Sequence, residues 1–300
     1  MNIIKNIPIP MAGLILAILS LGNLLQDIDP YIRYLFGAIG IVLIILVVLK
    51  VISYPADIKN DFKNPIIVSS SGTFSMSLML LSTYLVSITS SIAYAIWIIG
   101  VVLHILLIIY FTYHFIIRKF DISTVYPTYW IVFVGITMAS ITGQFHGLQE
   151  IDFIFFIAGF IGMLVSTPII LYREFIYKNI PDMNKPLTCI FTALFSILIF
   201  GYLNSAPNIS NEFVIGMYLI ACPFYIFSLY KLISFRNIDF YPSFSAFTFP
   251  FVISALATKG IFNAVWPNAT MNAVLIIETA IATILVVYVL ERYLNFLKNS

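Results

Sequence analysis

Ile98-Ile99-Gly100-Val101-Val102-Leu103-His104-Ile105-Leu106-Leu107-Ile108-Ile109-Tyr110 contains no Lys, Arg, Asp or Glu, and its apolar character runs back to 91 and on to 118. A helix needs roughly 20 apolar residues to cross about 30 Å of hydrocarbon, so this stretch reads as a membrane span. Ile41 to Val51, interrupted only by Lys50, reads the same way. Working outward, comparable runs fall near 8–25, 31–53, 66–89, 91–118, 126–144, 151–175, 187–204, 211–234, 243–262 and 268–297. The expectation is one all-α integral membrane domain over 1–300, with ten transmembrane helices arranged as five helical hairpins. Lys5 before the first run resembles a signal peptide start, but Pro8, Pro10, Gly13 and Asn23 interrupt the run and no small-x-small cleavage site follows. It is read as the first membrane helix.

Composition agrees with that class. Of 300 residues, 61% are hydrophobic and 9% charged, with a mean hydropathy of +1.03, against about a quarter charged in soluble domains. That apolar excess has to face an apolar solvent, the lipid bilayer. A net charge of +2 without a basic, aromatic-interleaved surface leaves nucleic acid out as a partner. Cys189 and Cys222 stand alone in apolar runs and read as packing residues, with no metal or cofactor implied.

Loop charge sets the orientation, because Lys and Arg are retained in the cytoplasm during insertion. The N-terminus and the links after the even spans hold Lys5, Lys50, Lys59, Lys63, Arg118, Lys119, Arg173, Lys178, Lys185, Lys231, Arg236, Arg292 and Lys298. The other side holds only Arg33 and Lys259. Both termini are therefore expected in the cytoplasm, in a plasma membrane read as a bacterial inner membrane. Pro10, Pro65, Pro127, Pro186 and Pro242 recur at the cytoplasmic entrance of each odd span. Proline suits a helix's first turn, and the near-constant period favours five copies of one hairpin.

Hydroxyl residues concentrate on the odd spans, among them Ser20, Ser77, Thr137, Thr192, Ser196, Ser245 and Thr248. A single buried hydroxyl can bond back to its own helix, but this asymmetry points to an inner ring of five odd helices around a polar centre, with the even helices toward lipid. These seven residues are the candidate pore-lining positions. The centre offers no catalytic constellation. His104 and His114 lie about 80° apart on one helix and read as structural. Glu278 is the one carboxylate well inside a helix. Its place on an outer helix favours a packing or interfacial bond, with Lys259 as candidate partner, over a proton relay. With no Lys or Arg in the middle of the inner helices, an anion there would rely on helix ends and amides freed beside prolines. Pro250 marks the expected bend in the ninth helix.

Ser245-Ala246-Phe247-Thr248-Phe249-Pro250, continuing through Ile253-Ser254-Ala255-Leu256-Ala257-Thr258, resembles the ninth helix of the tellurite-resistance/dicarboxylate transporter family, which includes the slow-type anion channels of plant guard cells. Pro8-Ile9-Pro10-Met11-Ala12-Gly13, Leu19-Ser20-Leu21-Gly22-Asn23 and Tyr126-Pro127-Thr128 resemble it too. The resemblance implies a quasi-fivefold bundle, a homotrimer with one pore per protomer, and passage of small inorganic or organic anions. It also implies that Phe249, just before the proline, plugs the pore. A helical wheel instead groups Thr248, Phe251, Ala255 and Thr258 as the polar stripe and leaves Phe249 at its edge. An anion channel or channel-like transporter is the leading reading. The same-fold alternatives are a proton-coupled C4-dicarboxylate carrier and a sulfite or tellurite oxyanion exporter; a membrane scaffold or intramembrane enzyme is the alternative of another class.

Overall fold

Short polar side chains and prolines set the helix starts. In the computed structural model, which describes residues 3–299, Asp29 accepts the Tyr31 amide at 2.8 Å with Pro30 in the first turn. Asn64 accepts the Ile66 amide at 2.9 Å ahead of Pro65, and Asn268 accepts that of Met271 at 2.8 Å. Each cap satisfies an amide that has no partner within its helix.

The elements follow as pairs. Helices α1 (Met11–Leu25) and α2 (Pro30–Ser53) form the first pair, and α3 (Pro55–Asp61) lies in the link. Next come α4 (Pro65–Leu85) with α5 (Ser90–Phe111). The third pair sets two short helices, α6 (Thr128–Phe133) and α7 (Thr137–Thr142), against α8 (Gln149–Leu171). Then α9 (Phe191–Ser205) is followed by α10 (Asn211–Ser234), and α11 (Phe249–Ala264) by α12 (Ala269–Asn299). π turns extend α5 to Ile117 and α8 to Tyr177, and 3-10 turns over Asp182–Ile190 and Pro242–Phe247 lead into α9 and α11. Among the described residues there is no strand.

Ten uninterrupted spans are not what the backbone holds. Among the described residues, eight helices, with their extensions, are long and apolar enough to cross a membrane. The first odd segment is a helix of 15 residues, roughly 22 Å at 1.5 Å per residue, because Pro8 and Pro10 leave only 3-10-type bonds at its start, such as Met11 N–H to the Pro8 carbonyl at 3.0 Å. The fifth segment is broken between α6 and α7.

The inner and outer roles separate by burial. In the most apolar windows, 72% of Pro65–Leu85, 83% of Asp182–Ser205 and 89% of Pro242–Ala264 is buried, against 22–33% for the α2, α5, α8, α10 and α12 spans. Those five expose aliphatic side chains such as Val42, Leu106, Val165, Leu219 and Val287, a surface suited to lipid and not to water. Helix α1 touches α4, α4 touches α6 and α7, α7 touches α9, α9 touches α11, and α11 returns to α1. The odd segments thus meet in a closed cycle.

On the Lys-rich side, some cations fasten the links. Lys50 is buried, bonding the Lys5 carbonyl and lying 3.4 Å from Asp57. Arg173, buried against the Tyr126 ring, bonds the Lys178 carbonyl and the Tyr126 hydroxyl.

Candidate functional site

Phe249 opens α11 because the chain leaves helical geometry one residue earlier. The 3-10 turn Pro242–Phe247 ends at Thr248, whose φ of −110° and ψ of −83° break the ladder. Pro250 then falls in the first turn of α11, where its missing amide has no bond to forfeit. The break in this segment falls at Thr248, and Pro250 sits in the first turn of the helix that follows.

A second break was not expected. The Trp130 carbonyl accepts both Val134 N–H at 2.8 Å and Gly135 N–H at 3.1 Å, and 3-10-type bonds follow, such as Thr137 N–H to the Val134 carbonyl at 3.0 Å. Gly135 permits this approach. A Cβ there would lie 2.2 Å from the Ile131 carbonyl oxygen and 2.9 Å from His104 Cε1. His104 holds the region together, with Nδ1 2.7 Å from Ser75 Oγ and Nε2 3.1 Å from the Val132 carbonyl. Its role is structural. His114 Nδ1 lies 3.0 Å from the Tyr110 carbonyl, within its own helix.

These interrupted segments enclose a cavity of about 50 Å³, the space of a few water molecules. Every odd segment contributes to its wall: Gly13, then Ser70, Thr73 and Met76, then Thr128, Val134 and Gly135, then Ala193 and Ile197, then Ser245 and Phe249. Among the described residues, no charged side chain and none of the outer helices α2, α5, α8, α10 and α12 lines it. The wall includes Ala193 in the first turn of α9 and Phe249 at the start of α11, so the positive ends of two helix dipoles open toward this space.

A second cavity, about 220 Å³, lies further along the same segments, lined among others by Ser20, Asn23, Leu80, Met138, Phe200 and Ile253. Going from the last wall residue of the first cavity to the first of the second runs Met76 to Leu80, Gly135 to Met138, Ile197 to Phe200 and Pro250 to Ile253, and on the first segment Gly13 to Ser20. The first four steps are about one helical turn, roughly 5 Å, and the last is about two turns. A septum of that thickness, largely apolar, separates the two spaces.

The candidate pore residues divide. Phe249, Pro250 and Ser245 line the first cavity and Ser20 the second. Ser77, Thr137, Thr192, Ser196 and Thr248 line neither. Ser77, Ser196 and Thr248 bond back to the carbonyls of Thr73, Thr192 and Ser245 at 2.7, 2.8 and 2.6 Å. Thr137 is wedged between helices, where Cβ atoms at Gly159 and Gly201 would meet it at 2.0 and 2.3 Å. Thr192 is buried with its hydroxyl unpaired.

Glu278 is not paired with Lys259. Thr258 and Ser254 of α11 donate to its carboxylate at 2.8 and 3.3 Å, while Lys259 pairs with Asp27 at 2.7 Å. Met76 and Ile197 at the septum carried no sequence signal, being aliphatic among many. Gln144 and Asn204, joined at 2.5 Å beside the second cavity, were legible only as amides near span ends.

No curated protein matches the chain. A family model described as voltage-dependent anion channel, SLAC1, matches residues 6–294, the family to which the ninth-helix resemblance pointed. Because that match covers nearly the whole chain and the apolar helices are those of a multi-pass membrane protein, the chain belongs to the SLAC1 family, a family of anion channels and transporters and not of enzymes.

Proposed function

We propose that the protein is an anion channel, or a transporter of channel-like design, passing small anions along the axis of its five odd segments, with Phe249 as the gate. In this reading the chain crosses a plasma membrane ten times as five quasi-fivefold hairpins, with both termini cytoplasmic. Three copies assemble as a homotrimer, each with its own path.

The observation that carries the reading is the stacking of two cavities, each walled by all five odd segments, across a septum one to two turns thick. A narrow apolar constriction excludes water and leaves an ion there without hydration, so a closed path of this form is opened by moving side chains and not by unfolding helices. Hydroxyls and helix ends hold an anion weakly, which suits passage. A proton-coupled dicarboxylate carrier would need a titratable group in its path. Among the described residues lining the two cavities none is Asp, Glu or His, which favours the channel.

Purified protein in liposomes tests this. Chloride or nitrate efflux, with valinomycin carrying the counter-charge, is expected to proceed without a proton gradient and to rise in Phe249→Ala. Flux that saturates and demands a proton gradient would favour the carrier. Absence of anion flux from both the intact protein and Phe249→Ala would end the reading.

A further inference from the structure

The charge count left two exceptions on the side opposite the Lys-rich links, Arg33 and Lys259. Both line the 220 Å³ cavity. They come from different helices, α2 and α11, and among the described residues Arg33 is the one wall residue from the outer set α2, α5, α8, α10 and α12.

Its arrival there is built in. Gly22 of α1 has no side chain, and a Cβ would lie 3.5 Å from the Arg33 Cα and 2.5 Å from the Tyr84 hydroxyl. That close contact brings the start of α2 over the rim of the bundle. The guanidinium lies over the Tyr84 ring at 4.6 Å, and Nη2 donates to the Thr83 carbonyl at 3.0 Å. Its buried Nε–H has no partner, and among the described residues no carboxylate pairs with Arg33. Lys259 Nζ bonds the Leu24 carbonyl at 3.2 Å and Asp27 at 2.7 Å. Asp27 is largely exposed and does not line the cavity. That ion pair therefore turns its positive end into the cavity and its negative end toward water, where it is screened.

We propose that Arg33 and Lys259 form an anion-capture site in the outer mouth, drawing small mono- and divalent anions to the septum. The side chains of Asn23, Gln26 and Asn263 line the same space, and their amide N–H groups supply neutral donors that complete the anion's shell. A cleft with apolar walls focuses the field of two cations and raises the local anion concentration. The proposal rests on the anion-passing reading for its purpose, but the binding is a property of the mouth alone.

The test reads the local potential without requiring conduction. With Cys189 and Cys222 replaced by alanine, Asn263→Cys in the mouth is modified by anionic or cationic methanethiosulfonate reagents of similar size. The anionic reagent is expected to react faster by about tenfold, relative to the same ratio at Asn208→Cys in an exposed loop. Arg33→Gln with Lys259→Gln should bring the two sites level, Arg33→Lys should retain most of the preference, and 1 M salt should abolish it. Equal ratios at both sites in the unaltered mouth would overturn the proposal. So would a preference that survives the double substitution, since the field would then come from elsewhere. Failure of anion flux in liposomes leaves this measurement unaffected, so the two readings fail separately.

Discussion

Thr258 Oγ1 donates a 2.8 Å hydrogen bond to Glu278 Oε2, tying α11 to α12 through a carboxylate that is only 5% exposed. Ser254, one turn earlier on α11, donates to the other oxygen at 3.3 Å. Glu278 walls a lateral groove beside Tyr218, Cys222 and Tyr225 and lines neither axial cavity. Its expected role is to hold the helix that carries Phe249. Glu278→Gln keeps an acceptor and should unfold near the wild-type temperature. Glu278→Ala removes the acceptor of both hydroxyls, leaving Thr258 only the 3.4 Å contact with the Tyr218 hydroxyl, and should cost about 1–3 kcal/mol, read as a lower melting temperature in detergent. Flux per folded protein should be unchanged in the Gln variant. A Gln variant that melts normally yet loses flux would make the carboxylate part of the transport chemistry.

The hydroxyls of the odd segments divide into those that face a cavity and those that face a helix. Cysteines at Ser20 and Ser245 should react readily with small hydrophilic thiol reagents. Cysteines at Thr137 and Thr192 should be protected, because those positions line neither cavity. Equal labelling of all four would mean that the two cavities are not the wet spaces of the protein.

That division marks where the sequence stops being informative. Hydropathy locates Ile41 to Val51 and Ile98 to Tyr110 because a bilayer demands long apolar helices, and the five prolines mark the odd segments because an initial turn tolerates them. Hydroxyl content shows which segments are interior, but which way a hydroxyl points depends on rotation about the helix. A backbone acceptor three or four residues back is always within reach, as Ser77, Ser196 and Thr248 use it. The break at Gly135 was hidden for a related reason. Glycine is common in membrane helices, and only the neighbours on other segments, His104 and Met76 among them, show that this one is needed for close approach. The helical wheel at Phe249 assumed a continuous helix across Thr248, where the backbone breaks.

Gly135 can be tested against an inert glycine. Gly135→Ala would place a methyl group 2.2 Å from the Ile131 carbonyl oxygen, closer than any real contact, so α6, α7 and His104 must shift apart. A loss of several kcal/mol is expected, on the order of overpacking a core or worse, visible as lower yield and melting temperature. Gly216→Ala meets nothing within 4 Å in the middle of α10 and should be neutral or stabilising by up to about 1 kcal/mol. Similar behaviour of the two variants would mean that the break between α6 and α7 is not held by the absence of a side chain.

Phe247, Phe249 and Phe251 lie within five residues, and only Phe249 faces the axial cavity. Phe251 is fully buried against the Tyr225 ring of α10 at 5.6 Å, and Phe247 packs on Phe244 at 5.0 Å. The break at Thr248 produces this arrangement by letting α11 start afresh with its own rotation. An aromatic ring across a space of about 50 Å³ leaves no room for a hydrated anion, and its apolar face gives a dehydrated one no ligands. Phe249→Ala removes the ring next to an existing cavity, so conductance should rise at least tenfold while the fold persists. Phe247→Ala and Phe251→Ala instead leave holes in packed interfaces and should cost about 3–5 kcal/mol of stability with little gain in conductance. Single-channel or liposome flux recordings on the three variants, each normalised to folded protein, decide the matter. A folded Phe249→Ala that stays as closed as the wild type removes Phe249 as the gate, and opening by Phe251→Ala would return the gate to the stripe that a continuous helix predicts.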